Sequence, residues 1–350
     1  MLMRIWFIVV AVMVLIGCGV SVDSEMSGDE WSVEETTERA TENHESTGED
    51  PTETEPRSAM TCDEEDKSCF TTLSAGPGHI CALDASGHIT CFGNDDHGKT
   101  DAPSGSYVDV SAGSRHSCAV DGDGEVDCWG IDDETPIFYQ GQTDPPDRIF
   151  SSVSSGSLVA CGIEADDRSA NCWGNDGQIW HGVPGDVEFA ALDLLGDGAC
   201  GLDVDGGAHC WGLDQEEGRT EPPDETFTAV STGAHHACGI NESDQIVCWG
   251  AEPAAVYCDG PGCPHYEPTD VGQVDAPDGE FIDVTTGANH SCGLDVDGEI
   301  HCWGTDEDGI TDAPGGEYVE LEAGARYTCA VARQGTIDCW GRDIAGLPAN

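Results

Sequence analysis

The sequence predicts an all-β protein, a seven-bladed β-propeller preceded by a disordered acidic tether. Three observations predict it. Paired cysteines recur seven times, at Cys81 and Cys91, Cys118 and Cys128, Cys161 and Cys172, Cys200 and Cys210, Cys238 and Cys248, Cys292 and Cys302, and Cys329 and Cys339. Successive first cysteines lie 37, 43, 39, 38, 54 and 37 residues apart, a period the size of one propeller blade. Gly-rich turns separate short alternating runs such as Tyr107-Val108-Asp109-Val110, and helical periodicity is nearly absent, which excludes the helical solenoids.

The chain opens with Arg4 and the apolar run Ile5 to Ile16, an export signal too short to span a bilayer comfortably. The run ends in Leu15-Ile16-Gly17-Cys18, which resembles the lipobox of bacterial lipoproteins. That resemblance implies that residues 1–17 are a lipoprotein signal peptide and that Cys18 is diacylated. The mature protein is then expected to be anchored through lipid alone, extracytoplasmic on the bacterial cell envelope, at the outer membrane or cell surface. Residues 18–61 are rich in Glu, Thr and Ser without apolar periodicity, the composition of a chain that stays disordered and extends by self-repulsion. The folded domain is expected over residues 62–350.

Acidic residues number 69 against 12 Lys plus Arg, a formal charge of −57. Such a body repels phosphate backbones, so nucleic acid is excluded as a partner. The same excess suits either a soluble exported protein or a salty habitat.

Within each repeat the cysteines frame a β-hairpin. If the turn centres on Asp123 in Gly122-Asp123-Gly124, Val120 faces Val126 and Cys118 faces Cys128. Residues directly opposed across two antiparallel strands lie within disulfide reach. An exported chain meets an oxidising compartment, and closing so short a loop stabilises by roughly 2 to 3 kcal/mol in the chain-entropy model. After Cys18, the remaining Cys62, Cys69, Cys258 and Cys263 form two local pairs. Cys258, Cys263 and nearby His265 offer three zinc ligands and no fourth, so no metal is expected there.

The repeat resembles the regulator-of-chromosome-condensation repeat, a strand, Ala-Gly-x-x-His, a hairpin and Trp-Gly. The pattern stands at Ala75-Gly76-Pro77-Gly78-His79, Ala112-Gly113-Ser114-Arg115-His116 and Thr286-Gly287-Ala288-Asn289-His290, with Trp-Gly at Trp129, Trp173, Trp211, Trp249, Trp303 and Trp340. The resemblance covers nearly all of residues 71–345 and implies a seven-bladed propeller, its cysteine-paired copies most like bacterial extracytoplasmic members. Phe92 departs from Trp in copy one, and Val159, Gly198 and Tyr327 depart from His in copies three, four and seven. Nucleotide exchange, familiar in nuclear relatives, is disfavoured by compartment and charge.

Most recurring residues read as frame. His79, His116, His236 and His290 occupy one repeat position, and equivalent residues in different blades stand too far apart around an axis to share a metal. The Trp side chains suit packing between blades. Asp121, Asp203 and Asp295 begin Asp-x-Asp-Gly runs that fit tight hairpin turns better than calcium loops, since the late bidentate Glu is missing. No nucleophile elbow, P-loop or H-E-x-x-H stands in the chain, and no carboxylate pair rises above the acidic background, so catalysis and cofactors are not expected.

Variable positions on this frame are where binding is expected. Gly78, Arg115, Leu158, Asp197, His235, Asn289 and Arg326 precede the His position, one per blade on one end of the ring. Arg115 and Arg326 belong to the blades flanking blade one. Asp95, Asp132, Asp176, Asp214, Glu252, Asp306 and Asp343 follow Trp-Gly and make a negative rim, with Asx-type turns explaining the six Asp. An insertion in blade five, about residues 252–272, carries Tyr257 and Tyr266 and suits a private contact. The expectation is a monomeric, non-catalytic envelope lipoprotein whose loop face binds another protein. Alternatives are an inhibitor of a secreted or periplasmic enzyme, as in propellers with similar repeats that inhibit β-lactamases, and an enzyme acting on envelope polymers.

Overall fold

The computed structural model describes residues 69–131, 139–175, 182–196, 198–212, 218–251 and 271–342. Each repeat forms one antiparallel sheet of three strands in chain order. Blade one is β1 (Phe70–Ala75), β2 (His79–Asp84) and β3 (Ile89–Gly93); blade two is β4 (Tyr107–Ala112), β5 (His116–Asp121) and β6 (Val126–Gly130). Blade three is β7 (Phe150–Ser155), β8 (Val159–Glu164) and β9 (Ala170–Gly174); blade four is β10 (Phe189–Leu195), β11 (Gly198–Asp203) and β12 (Ala208–Gly212). Blade five is β13 (Phe227–Thr232), β14 (His236–Asn241) and β15 (Ile246–Gly250); blade six is β16 (Phe281–Thr286), β17 (His290–Asp295) and β18 (Ile300–Gly304). Blade seven is β19 (Tyr318–Ala323), β20 (Tyr327–Ala332) and β21 (Ile337–Gly341). The first strands neighbour one another around a common axis, and β1 packs on β19, so the ring closes between the last blade and the first.

The hairpins have the expected register, Val120 opposite Val126 and Cys118 opposite Cys128. All seven cysteine pairs are bonded, with Cα atoms 3.9 to 4.1 Å apart. Cys69 is also disulfide-bonded; Cys18, Cys62, Cys258, Cys263, Tyr257 and Tyr266 lie outside the described residues.

Seams between blades are built from two devices. The first residue of every inner strand is aromatic (Phe70, Tyr107, Phe150, Phe189, Phe227, Phe281 and Tyr318). Each donates its backbone N–H to the hairpin turn of the preceding blade, as Phe150 does to Gly124 at 2.9 Å and Phe70 does to Gly335 at 2.9 Å across the closing seam. The accepting turn residue has positive φ in every blade, 84° at Gly124 and 57° at Arg168, which is why glycine dominates there. Phe150, Phe189 and Phe227 then tilt against the Trp of their own blades at centroid distances of 5.5 to 5.7 Å.

The second device is a motif in the connections, Gly98-Lys99, Gly141-Gln142, Gly218-Arg219, Gly272-Gln273 and Gly309-Ile310. The glycine takes positive φ at all five, and the residue after it is buried. Its carbonyl accepts the indole N–H of the next Trp: Trp129 to Lys99 at 2.9 Å, Trp173 to Gln142 at 3.1 Å, Trp249 to Arg219 at 3.0 Å, Trp303 to Gln273 at 2.8 Å and Trp340 to Ile310 at 2.8 Å. A buried indole thereby keeps a partner while its ring fills the seam.

Candidate functional site

The loops before the His position form a rim held by backbone. Gly78, Arg115, Leu158, His235, Asn289 and Arg326 each use their carbonyl to accept the N–H of the residue following (Trp/Phe)-Gly, at 2.7 to 3.2 Å. Their side chains are thereby free to vary without disturbing the frame. The rim narrows because the glycine of Ala-Gly-x-x-His abuts the next blade: a Cβ on Gly76 would lie 2.3 Å from the Gly113 carbonyl oxygen, and one on Gly324 would lie 2.7 Å from that of Gly76.

Arg326 is exposed, with its guanidinium 3.9 Å from Glu307, a pair worth little in water. Arg115 is half-buried, and it stands near Lys99, lowering the Lys99 pKa after burial has done so. Lys99 itself reaches the Ser114 carbonyl at 3.4 Å. Arg115 of blade two is therefore the cation exposed in part on the rim beside blade one, with Lys99 of the preceding connection buried close to it. His235 and Asn289 lie in blades five and six on the same rim, away from this pair. Asp197, Tyr257 and Tyr266 fall outside the described residues.

The recurrent histidines serve the seams. Nε2 of His79 meets Ser117 Oγ of the next blade at 2.7 Å, His236 meets Ser291 at 2.7 Å, and His290 meets Thr328 at 2.8 Å. Ser117 and Ser291 pass their own protons to the carbonyls of Lys99 and Gln273, so His79 and His236 are the donors to these hydroxyls. Burial holds the rings neutral, with pKa pushed down to about 3 for His79 and His236 and about 4 for His116 and His290.

Departures from His follow the residue opposite. Val159 and Gly198 face Ala199 and Ala237, the equivalents of Ser117 and lacking its hydroxyl, and the Arg219 guanidinium occupies the space above Gly198. Tyr327 faces Ile80 and reaches past it to the Gly76 and His79 carbonyls.

The hairpin-turn aspartates are turn residues. Asp121 Oδ1 accepts the N–H groups of Asp123 and Glu125, and Asp203 and Asp295 repeat the arrangement. The residues after Trp-Gly need a correction. Where described, they do not close an Asx turn on their own N–H two residues ahead; Asp95 and Asp306 instead accept from the hydroxyls of Thr100 and Thr311, five residues on.

The larger correction concerns carboxylates. The sequence shows no cluster, yet Asp109, Asp193, Asp283, Glu320 and Glu322 of four inner strands converge along the axis, where they influence one another. A β-bulge near the start of every inner strand separates its first and third residues in register. Asp109, Asp283 and Glu320 stand at that third position. They tie inner strands together: Asp109 accepts from Val153 N–H at 2.9 Å, Asp283 from Leu321 at 3.2 Å and Glu320 from Leu73 at 2.7 Å across the closing seam. Ser74, Ser111 and Ser154 do the same for Ala112, Ser155 and Leu194 at 2.8 to 2.9 Å. Burial raises the acids, Asp109 and Asp193 to about 6, Asp283 to about 7 and Glu320 to about 8, and burial with its acidic neighbours also raises Glu322 well above the usual carboxylate range.

A closed ring of seven three-stranded blades around such an axis is a β-propeller. Residues 70–99, 107–134 and 281–310 match the Regulator of chromosome condensation (RCC1) repeat, so the chain carries repeats of this kind in blades one, two and six. No curated protein matches the chain. Among solved structures, the CRINKLY WD40 ectodomain of the Arabidopsis thaliana receptor kinase ACR4 superposes with a TM-score of 0.62 at 21% identity, covering 80% of this chain and 98% of that one. Prp20p from Saccharomyces cerevisiae, described with its binding properties to Gsp1p and histones, gives 0.57 at 14%, covering 75% and 82%. Human WBSCR16 gives 0.58 at 14%, covering 75% and 86%. At these identities the likeness establishes the fold.

Proposed function

We propose that this protein is a non-catalytic lipoprotein of the bacterial cell envelope, anchored by Cys18 through the residue 18–61 tether, whose propeller rim binds another protein. The observation that carries the reading is the rim itself. Six loops are pinned by an identical backbone bond while their side chains change from Gly78 to Arg115, Leu158, His235, Asn289 and Arg326, the design of a variable surface on a rigid scaffold. Prp20p, with a similar propeller, binds proteins. Seven disulfides suit an oxidising, extracytoplasmic compartment, and no helix among the described residues is long and apolar enough to cross a membrane.

An enzyme acting on envelope polymers has less support. The axial cavity, which Asp193 and Glu322 help to line, holds only about 50 Å³, whereas substrate pockets run to roughly 300 Å³ and more. An inhibitory role would use the same rim and the blade-five insertion.

The test is affinity capture from envelope extract with the full chain, comparing wild type, Arg115→Glu/Arg326→Glu and a deletion of residues 252–272. Loss of one captured protein in either variant supports the rim reading. An unchanged captured set in both removes it. Palmitate labelling that survives Cys18→Ala would remove the anchor independently.

A further inference from the structure

The inner strands enclose a cavity of about 50 Å³ on the propeller axis, its wall including the hydroxyls of Ser74, Ser111, Ser154 and Ser155 and the carboxyls of Asp193 and Glu322. Every polar side chain in that wall ends in oxygen. Most are committed to tying strands together, but two are not. Ser155 is 2% exposed and its hydroxyl meets no hydrogen-bonding atom. At the equivalent position in blades five and six, Thr232 bonds to the Asp193 carbonyl at 3.2 Å and Thr286 to Ser231 at 3.1 Å. Glu322, the other, is bonded to no group among the described residues and is faced by the acids Asp193, Asp283, Glu320 and Asp109.

We propose that this axial cavity binds one hard divalent cation of the calcium class, ligated by the Glu322 and Asp193 carboxylates, the Ser155 hydroxyl and water. Carboxylate and hydroxyl oxygens, without imidazole or thiolate, select calcium-like ions over softer metals. Two carboxylates, once binding has displaced their protons, match the charge of such an ion, and the cavity has room for it with a water, each water claiming roughly 30 Å³. The donors ride on inner strands already locked by hydrogen bonds to their neighbours, so little ordering is left for binding to impose. The cation would also answer the mutual repulsion of five acids on one axis. The hairpin turns are a separate matter, because Asp121, Asp203 and Asp295 do not line this cavity, whereas Asp193 lines it while also accepting the Thr232 N–H.

Titration calorimetry of the chelator-treated full chain with calcium chloride tests the assignment, at near-physiological salt to screen diffuse binding by the acidic surface. The expected result is one saturable site and a higher melting temperature with calcium. Glu322→Gln should weaken binding roughly tenfold or more, and Ser155→Ala should weaken it less. Asp295→Asn, which alters an exposed turn, should leave it unchanged. A wild-type chain without a saturable site overturns the proposal. So does a site that persists in both Glu322→Gln and Asp193→Asn, or one that disappears with Asp295→Asn.

Discussion

Tyr327 of the last blade donates its hydroxyl to the carbonyl of His79 in the first, at 2.9 Å, and to that of Gly76 at 2.6 Å. Three other seams join a histidine to a hydroxyl at this level. Ile80, standing where those seams have Ser or Thr, offers none, and the longer phenol reaches backbone instead.

Removing that hydroxyl should loosen ring closure. Tyr327→Phe is expected to lower unfolding free energy by about 1 to 2 kcal/mol, the usual cost of stranding a buried acceptor. Thermal or urea unfolding measures it. In a double-mutant cycle, Tyr327→His and Ile80→Ser should couple favourably, recreating the pairing of the other seams; zero coupling would contradict the pairing rule.

His116 is the converse case. Both its ring nitrogens are buried without partners, and the next blade presents Ala160 where Ser117 serves His79. Ala160→Ser should supply the missing partner and stabilise by roughly 0.5 to 1.5 kcal/mol. A fall in melting temperature would show that the seam has no room for the oxygen.

Axial acids and seam histidines give opposite pH dependences. For Glu320, burial raises the folded pKa to about 8 from an ordinary 4.5, so the wild type loses stability as pH climbs through that interval. Glu320→Gln keeps the acceptor for Leu73 N–H and removes the charge. Its advantage should be near zero at about pH 4.5 and grow to roughly 2 kcal/mol above pH 8, after discounting for solvent in the channel. The histidines are depressed to about 3 or 4, so their contribution is complete above an ordinary pKa of 6.5 and falls as pH drops toward 4. Unfolding curves across this range distinguish the two sets, and a pH-independent difference for Glu320→Gln would show that Glu320 ionises in the folded protein as readily as in the unfolded chain.

Each disulfide should act within its own blade. Replacing both members of one pair, as in Cys161→Ser/Cys172→Ser, is expected to cost about 2 to 3 kcal/mol while peptide mapping finds the other six hairpin bridges intact. Scrambled bridges in that variant would show that the blades do not oxidise independently.

Frame residues were legible in the sequence because repetition exposes them: the cysteine register, the turn aspartates and Trp-Gly recur at fixed spacing. The axial acids were not, because Asp109, Asp193, Asp283 and Glu320 come from separate blades and meet only once the ring is closed. Asp109 alone looks like any outward residue of an alternating strand, and the bulge beside it breaks simple alternation. Tyr327 read as a lapse from the repeat, although it is the residue fitted to Ile80. The Gly98-Lys99 type of connection escaped notice since the buried residue changes from Lys99 to Gln142 to Ile310; its constant part is a left-handed glycine and a carbonyl, and only the glycine is visible in a sequence.

Every bridge in the seven hairpins joins a cysteine to the next one along the chain, 10 or 11 residues later. A chain threaded through an export channel presents its thiols in that same order. An oxidant that joins thiols as they emerge would therefore produce the native set blade by blade, with no later reshuffling, and only the union of blade seven with blade one would have to wait for the whole polypeptide.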